Sequence, residues 1–188
     1  MDDRATVLER LARLNFGEDE IVIMDDPSYN DLNIYMRELA LRIAKATAAD
    51  KKQLVFWYYA GHGIQDNTVS MVLNQSEGKH IYPIELQLRA LSKCGHAYVV
   101  GLLDCCRQKV KTRGNDSEAA EAIEEGENII LAFGCPPSKD TPAESTLAED
   151  FFGFLENSAD AAGNIALPGN LNFFHTKDRR NETLIKVS

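Results

Sequence analysis

Two apolar runs, each leading to a reactive side chain, constrain this chain more than any other feature. Leu54–Tyr59 continues through Ala60 and Gly61 to His62, and Ala97–Leu103 continues through Asp104 and Cys105 to Cys106. Uninterrupted runs of valine, leucine and aromatic residues suit strands buried on both faces, the habit of parallel sheets. Parallel strands bring their carboxyl ends to one edge of the sheet, where α/β proteins build their sites. His62 and Cys106 are therefore expected at the same edge. An imidazole and a thiol placed there are the minimum equipment for thiolate nucleophilic catalysis. The imidazole takes the thiol proton and later protonates a leaving amine.

The rest of the chain supplies elements to flank such a sheet. Val7, Leu8, Leu11, Ala12 and Leu14 recur at helical spacing and predict an amphipathic helix over about residues 4–15, with Asp2 or Asp3 as its cap. Ile21–Met24 is a short β-branched run closed by Asp25-Asp26-Pro27 and reads as a strand. Leu32, Tyr35, Met36, Leu39, Ile43 and Ala46 mark a longer helix. After the His62 run come a polar loop at 61–67 and a strand at Val69–Leu73. Ile84, Leu88 and Leu91 share one face of a helix over about 83–93. Ile129–Phe133 is a further strand and Leu147–Leu155 a helix, while the tail from Asn157 shows no clear pattern. This βαβ alternation predicts an α/β fold with a mostly parallel central sheet flanked by helices.

Composition narrows the function. The 188 residues are 44% hydrophobic, enough for one domain with a proper core. A formal charge of −9 argues against nucleic acid as a partner. No apolar run approaches the length of a membrane span, and Met1-Asp2-Asp3-Arg4 opens neither a signal peptide nor a basic transit sequence. Cys94, Cys105, Cys106 and Cys135 form no CxxC pair, and with His96 they fit no common zinc-finger spacing. A reducing, cytoplasmic setting is the simplest expectation.

Tyr58-Tyr59-Ala60-Gly61-His62-Gly63 and Leu102-Leu103-Asp104-Cys105-Cys106-Arg107 together resemble the histidine and nucleophile segments of the caspase-like cysteine peptidases (peptidase family C14). The second segment has the Leu-Leu-Asp-X-Cys-Arg form and is closer to paracaspases and metacaspases than to true caspases. The resemblance extends from about Asp3 through Leu155. It implies a caspase-like fold in which 1–107 corresponds to the large subunit, 108–128 to a linker and 129–188 to the small subunit. The family's first strand, which precedes the first helix, has no counterpart here. His62 is implied as general base and acid and Cys106 as nucleophile. The backbone N–H groups of Gly63 and Cys106 are implied as the oxyanion hole.

The same resemblance bears on specificity. True caspases read a substrate aspartate with arginines and with a glutamine two residues before the nucleophile; here Asp104 stands at that position. In the basic-specific relatives an acid there pairs with substrate arginine or lysine. Asp3 matches a second pocket acid. A third is expected after Ile129–Phe133, where Asp140 is the candidate and Glu144 the alternative. Convergent carboxylates bind a guanidinium bidentately and reject an acidic side chain, so cleavage after arginine, then lysine, is expected. No organic cofactor and no metal are implied. Calcium dependence, common in metacaspases, is not favoured, and a homodimer is a possible active form. Arg113-Gly114, in the polar linker, is a candidate self-cleavage point. The alternative function is a catalytically inactive caspase-like domain that serves as an interaction scaffold.

Overall fold

The computed structural model describes residues 3–14, 16–66, 68–75, 78–109, 128–135, 139, 146–157 and 170–174. Four strands make the central sheet: β1 (Gln53–Gly61), β5 (Ala97–Cys105), β7 (Ile129–Phe133) and β8 (Asn170–Phe174), adjacent in that order and all parallel. A smaller sheet stands beside it, in the order β4 (Gly78–Tyr82), β3 (Val69–Gln75), β2 (Gly63–Gln65) and β6 (Gln108–Lys109). The helices are α1 (Asp3–Arg13), α2 (Tyr29–Ala48), α3 (Ile84–Ser92) and α4 (Leu147–Asn157).

Side-chain alternation along the strands builds two cores. Val99, Leu103 and Cys105 of β5 join Leu32, Met36 and Ile43 of α2 and Leu88 and Leu91 of α3 on one face. Val100 and Leu102 join Val7 and Leu11 of α1 and Phe151 and Leu155 of α4 on the other. Each such side chain contributes about 1.5–3 kcal/mol by leaving water. Exposed ion pairs such as Arg4–Asp25 contribute roughly 0–1 kcal/mol, so the two apolar layers decide the fold.

Helix boundaries follow local chemistry. Ser28 caps α2 reciprocally with Asp31: the Asp31 N–H donates to the Ser28 hydroxyl at 3.1 Å and the Ser28 N–H to the Asp31 carboxylate at 3.0 Å. The charge-assisted bonds from Ser28 lower the Asp31 pKa. At the other end of α2, Thr47 accepts from the His96 N–H at 2.9 Å, anchoring the turn into β5. Gly95 in that turn has φ +68°, which glycine adopts without strain.

Several local expectations need correction. Ile21–Met24 is not a strand among the described residues, because no strand lies beside it to complete a ladder. The stretch read as a polar loop, 61–67, holds β2, which pairs with β3. The linker begins as β6, paired with β2, and the unpatterned tail contains β8. A hairpin strand, β4, follows β3 and was not expected. Residues 110–127, including Arg113, lie outside the described set. No described helix is long and apolar enough to cross a membrane.

A buried ion pair under the smaller sheet was also not anticipated. Glu85 accepts from the Val69 N–H at 2.7 Å and from Arg89 at 2.8 and 3.2 Å, with both side chains under a tenth exposed. Removing the acid alone takes a buried carboxylate away from both the Arg89 guanidinium and the Val69 N–H. Glu85→Ala should therefore lower unfolding stability by about 3–5 kcal/mol, read by urea denaturation. Glu85→Leu combined with Arg89→Met should recover much of that loss.

Candidate active site

The ladder between β1 and β5 runs without interruption from Gln53↔Ala97 to Gly61↔Cys105. His62 and Cys106 are the next residue of each strand, so they leave the sheet side by side, about one strand spacing (~4.8 Å) apart in backbone. His62 is exposed and Cys106 half-buried. A nucleophile needs that accessibility, and its neighbour lacks it. Cys105 is fully buried, and burial first, then Cys135 and Asp104, push its thiol up to about 12. Cys105 is thus a core residue, and of the adjacent pair Cys106 is the one equipped to react.

Three devices fix the loops that carry the pair. The carbonyl of His62 accepts two hydrogen bonds, each 2.8 Å, from the Tyr59 hydroxyl and the Val72 N–H. Burial, reinforced by Cys105 and Asp26, raises the Tyr59 pKa well above its ordinary value, so the phenol stays protonated as a donor. Gly63 then passes so close to the other loop that a Cβ there would stand 2.5 Å from the Cys105 Sγ and 2.6 Å from the Cys106 carbonyl oxygen. Only glycine fits that approach. Finally, β2 and β6 pair in parallel at Ile64↔Gln108 and Gln65↔Lys109, which ties the chain after the histidine to the chain after the cysteine.

Arg107 anchors the cysteine loop from below. It is 3% exposed, its guanidinium lies 4.0 Å over the Phe133 ring, and it donates to the Cys135 carbonyl at 3.3 Å. Its N–H donates to the carbonyl of Lys139 at 2.9 Å. Burial lowers its pKa, with Glu85 opposing. The sequence marked Arg107 only as part of a motif; its buried position over Phe133 emerges from the fold.

The acids are placed unequally. Asp104 is 6% exposed and pairs in register with Ala60. By alternation it belongs to the sheet face covered by α1 and α4, with Val100 and Leu102. Asp3 begins α1, the helix on that same face. The next residue, Arg4, bonds Asp25 at 3.0 Å, and the adjacent Asp26 is close enough to act on the Tyr59 hydroxyl. The start of α1 therefore lies toward the edge where β1 ends. The Asp3 side chain, Asp140 and Glu144 lie outside the described residues. No group of three or more His, Cys, Asp or Glu among the described residues could hold a metal ion.

Burial of Cys105 gives a prediction with a definite sign. A thiol whose pKa is raised on folding favours the native state less as pH climbs past its ordinary value of 9.0 toward about 12. Stability should fall across that window, and Cys105→Ala should flatten the fall. At pH 8, iodoacetamide should label Cys106 in the native protein and Cys105 only after unfolding, as read by peptide mass mapping.

Compared with known proteins, the chain has no match among curated sequences. A family model, that of the caspase domain (peptidase C14), matches residues 1–152. That span takes in α1 through β7, both segments that end in His62 and Cys106, and most of α4. The chain belongs to the caspase-domain family of cysteine peptidases.

Proposed function

We propose that the chain is a cysteine endopeptidase that cleaves after arginine, and less readily after lysine, through His62 and Cys106. The observation that carries this reading is the Gly61↔Cys105 register, which delivers an exposed imidazole and an accessible thiol to one sheet edge. His62 takes the Cys106 proton, and the thiolate sulfur attacks the substrate carbonyl. The carbonyl oxygen becomes an oxyanion facing the N–H groups of Gly63 and Cys106. As the C–N bond breaks, His62 returns the proton to the leaving amine. A water then attacks the thioester, again giving its proton to His62, and releases the acid and the free thiol.

The carboxylate of Asp104, with Asp3 and Asp140, forms the pocket for the basic side chain. Burial of Asp104 on the α1 face, at the edge where α1 begins, supports this assignment. No cofactor or metal is required, calcium included. The four free thiols suit a reducing compartment such as the cytoplasm.

The test is hydrolysis of matched fluorogenic peptides ending in arginine, lysine or aspartate, with calcium or a chelator, over a range of protein concentrations that would reveal activation by dimerisation. Arginine peptides should be cut fastest, with Cys106→Ala silent and calcium without effect. Asp104→Asn should lower kcat/KM for the arginine peptide by about a hundredfold, the size of a lost buried charge pair. Tyr59→Phe, which removes one of two bonds holding the His62 carbonyl, should lower kcat about fivefold and leave KM unchanged. Cleavage after aspartate would overturn the pocket. A folded protein that cuts none of them at any concentration would point to the inactive scaffold.

A further inference from the structure

The smaller sheet continues the line of the reactive pair. Two ladders place His62 opposite Cys106: Gly61↔Cys105 before them in the central sheet and Ile64↔Gln108 after them in the smaller one. On its other side the chain from His62 pairs antiparallel with β3, Gly63↔Met71 and Ile64↔Ser70, so His62 stands opposite Val72. The Val72 N–H donates to the His62 carbonyl at 2.8 Å, as that register requires. Val72 pairs in turn with Ile81 of β4. Cys106, His62, Val72 and Ile81 therefore form one row across neighbouring segments, with about 4.8 Å between each and the next.

The members of the row share a face. Met71 and Leu73 of β3 are buried in the α2/α3 core, and a Cβ at Gly63 would point at the Cys105 sulfur, which is buried in the same core. Alternation puts the residues between them on the opposite face. There His62 is exposed, Ile64 and Val72 are half-buried and Ile81 is 53% exposed. The reactive pair thus opens onto an apolar strip of Ile64, Val72 and Ile81 that meets solvent at its far end.

Cleavage chemistry gives the row a direction. In the peptidase mechanism, on which this inference rests, the Cys106 sulfur bonds the acyl carbon and His62 hands a proton to the leaving amine. The bond that breaks therefore points from Cys106 to His62, and the leaving segment runs on along the row, over Val72 and toward Ile81. An extended chain advances about 3.3 Å per residue and turns alternate side chains to one face. Counted from the leaving nitrogen, the second residue falls over Val72, about 5 Å on, and the fourth, on the same side, reaches Ile81, about 10 Å on. We propose that the outer face of the smaller sheet is the subsite for the leaving segment, selecting apolar side chains at the second and fourth positions after the scissile bond. A charged side chain there gives up water against valine and isoleucine, which do not compensate it. Recognition after the bond thus adds to the choice of arginine before it.

The test uses internally quenched peptides that share an arginine before the scissile bond and continue after it as Ser-Val-Ser-Leu, Ser-Asp-Ser-Asp or Ser-Lys-Ser-Lys. An arginine coumarin amide, which has no leaving peptide, is run beside them. Each kcat/KM is divided by that of the coumarin amide, so a general loss of activity cancels. The apolar peptide should be cut about tenfold faster than either charged one, the size of partly burying two side chains. In Ile81→Lys the acidic peptide should overtake the basic one, and in Ile81→Glu that order should reverse, an exchange that loss of structure does not produce. Equal ratios for the peptides while the coumarin amide is cut overturn the proposal and leave the peptidase reading standing. Ratios indifferent to the charge placed at position 81 do the same. If the folded protein cuts neither the coumarin amide nor any peptide, the peptidase reading fails and the subsite falls with it.

Discussion

The ladder between β1 and β5 is the constraint on which the site and both cores depend. Its register is fixed from two sides at once. Val55, Trp57 and Tyr59 face the α2/α3 layer while Phe56 and Tyr58 face the α1/α4 layer. A slip of one residue would exchange those sets and move every β1 side chain to the wrong face. It would also break the match of Gly61 to Cys105 and carry His62 out of step with Cys106. Packing far from the edge therefore sets the edge: His62 and Cys106 are aligned by the apolar residues that precede them.

The same alternation explains how adjacent thiols acquire different characters. Cys105 is the last residue of β5 and turns into the α2/α3 core, where burial holds it protonated. Cys106 is the first residue beyond the sheet and stands at the edge. Cys135 closes the underside, its thiol directed to the carbonyls of Cys105 and Lys139 at 3.5 and 3.2 Å. Arg107 fills the space between over Phe133. A basic side chain next to Cys106 invites an electrostatic role, but its burial and its bond to a backbone carbonyl make it a fastener of the loop.

Periodic features were legible in the sequence, and features made by distant pairing were not. The apolar runs of β1, β5 and β7 and the helical faces of α2, α3 and α4 announce themselves because each carries its own repeat. Ile21–Met24 carries the same announcement falsely: β-branched composition says what a segment could pair with, and the ladder requires a partner. β2 and β6 failed in the opposite direction. Gly63–Gln65 and Gln108–Lys109 are too short and too polar for any periodicity, and they are strands only because the fold brings them together. The meeting of His62 and Cys106 at one sheet edge was readable from the runs they follow. The Tyr59 bond to the His62 carbonyl was not, although the tyrosine stood within the motif.

Among the described residues β1 is laddered on one side alone and leads directly to His62, a structural cost that the smaller sheet offsets. A strand laddered on one side opens more readily than a central one, and His62 is the first residue beyond β1. The His62 carbonyl is held instead by Tyr59 from its own strand and by Val72 from β3. β2 continues directly from that point, pairing with β3 on one side and with β6 on the other. The smaller sheet thus grips the chain immediately after the edge strand releases it. Because β6 follows Cys106 within two residues, the same grip fixes the loop that carries Cys106. The two reactive residues are held by different strands of the large sheet before them and by one small sheet after them, so a displacement of either must strain both.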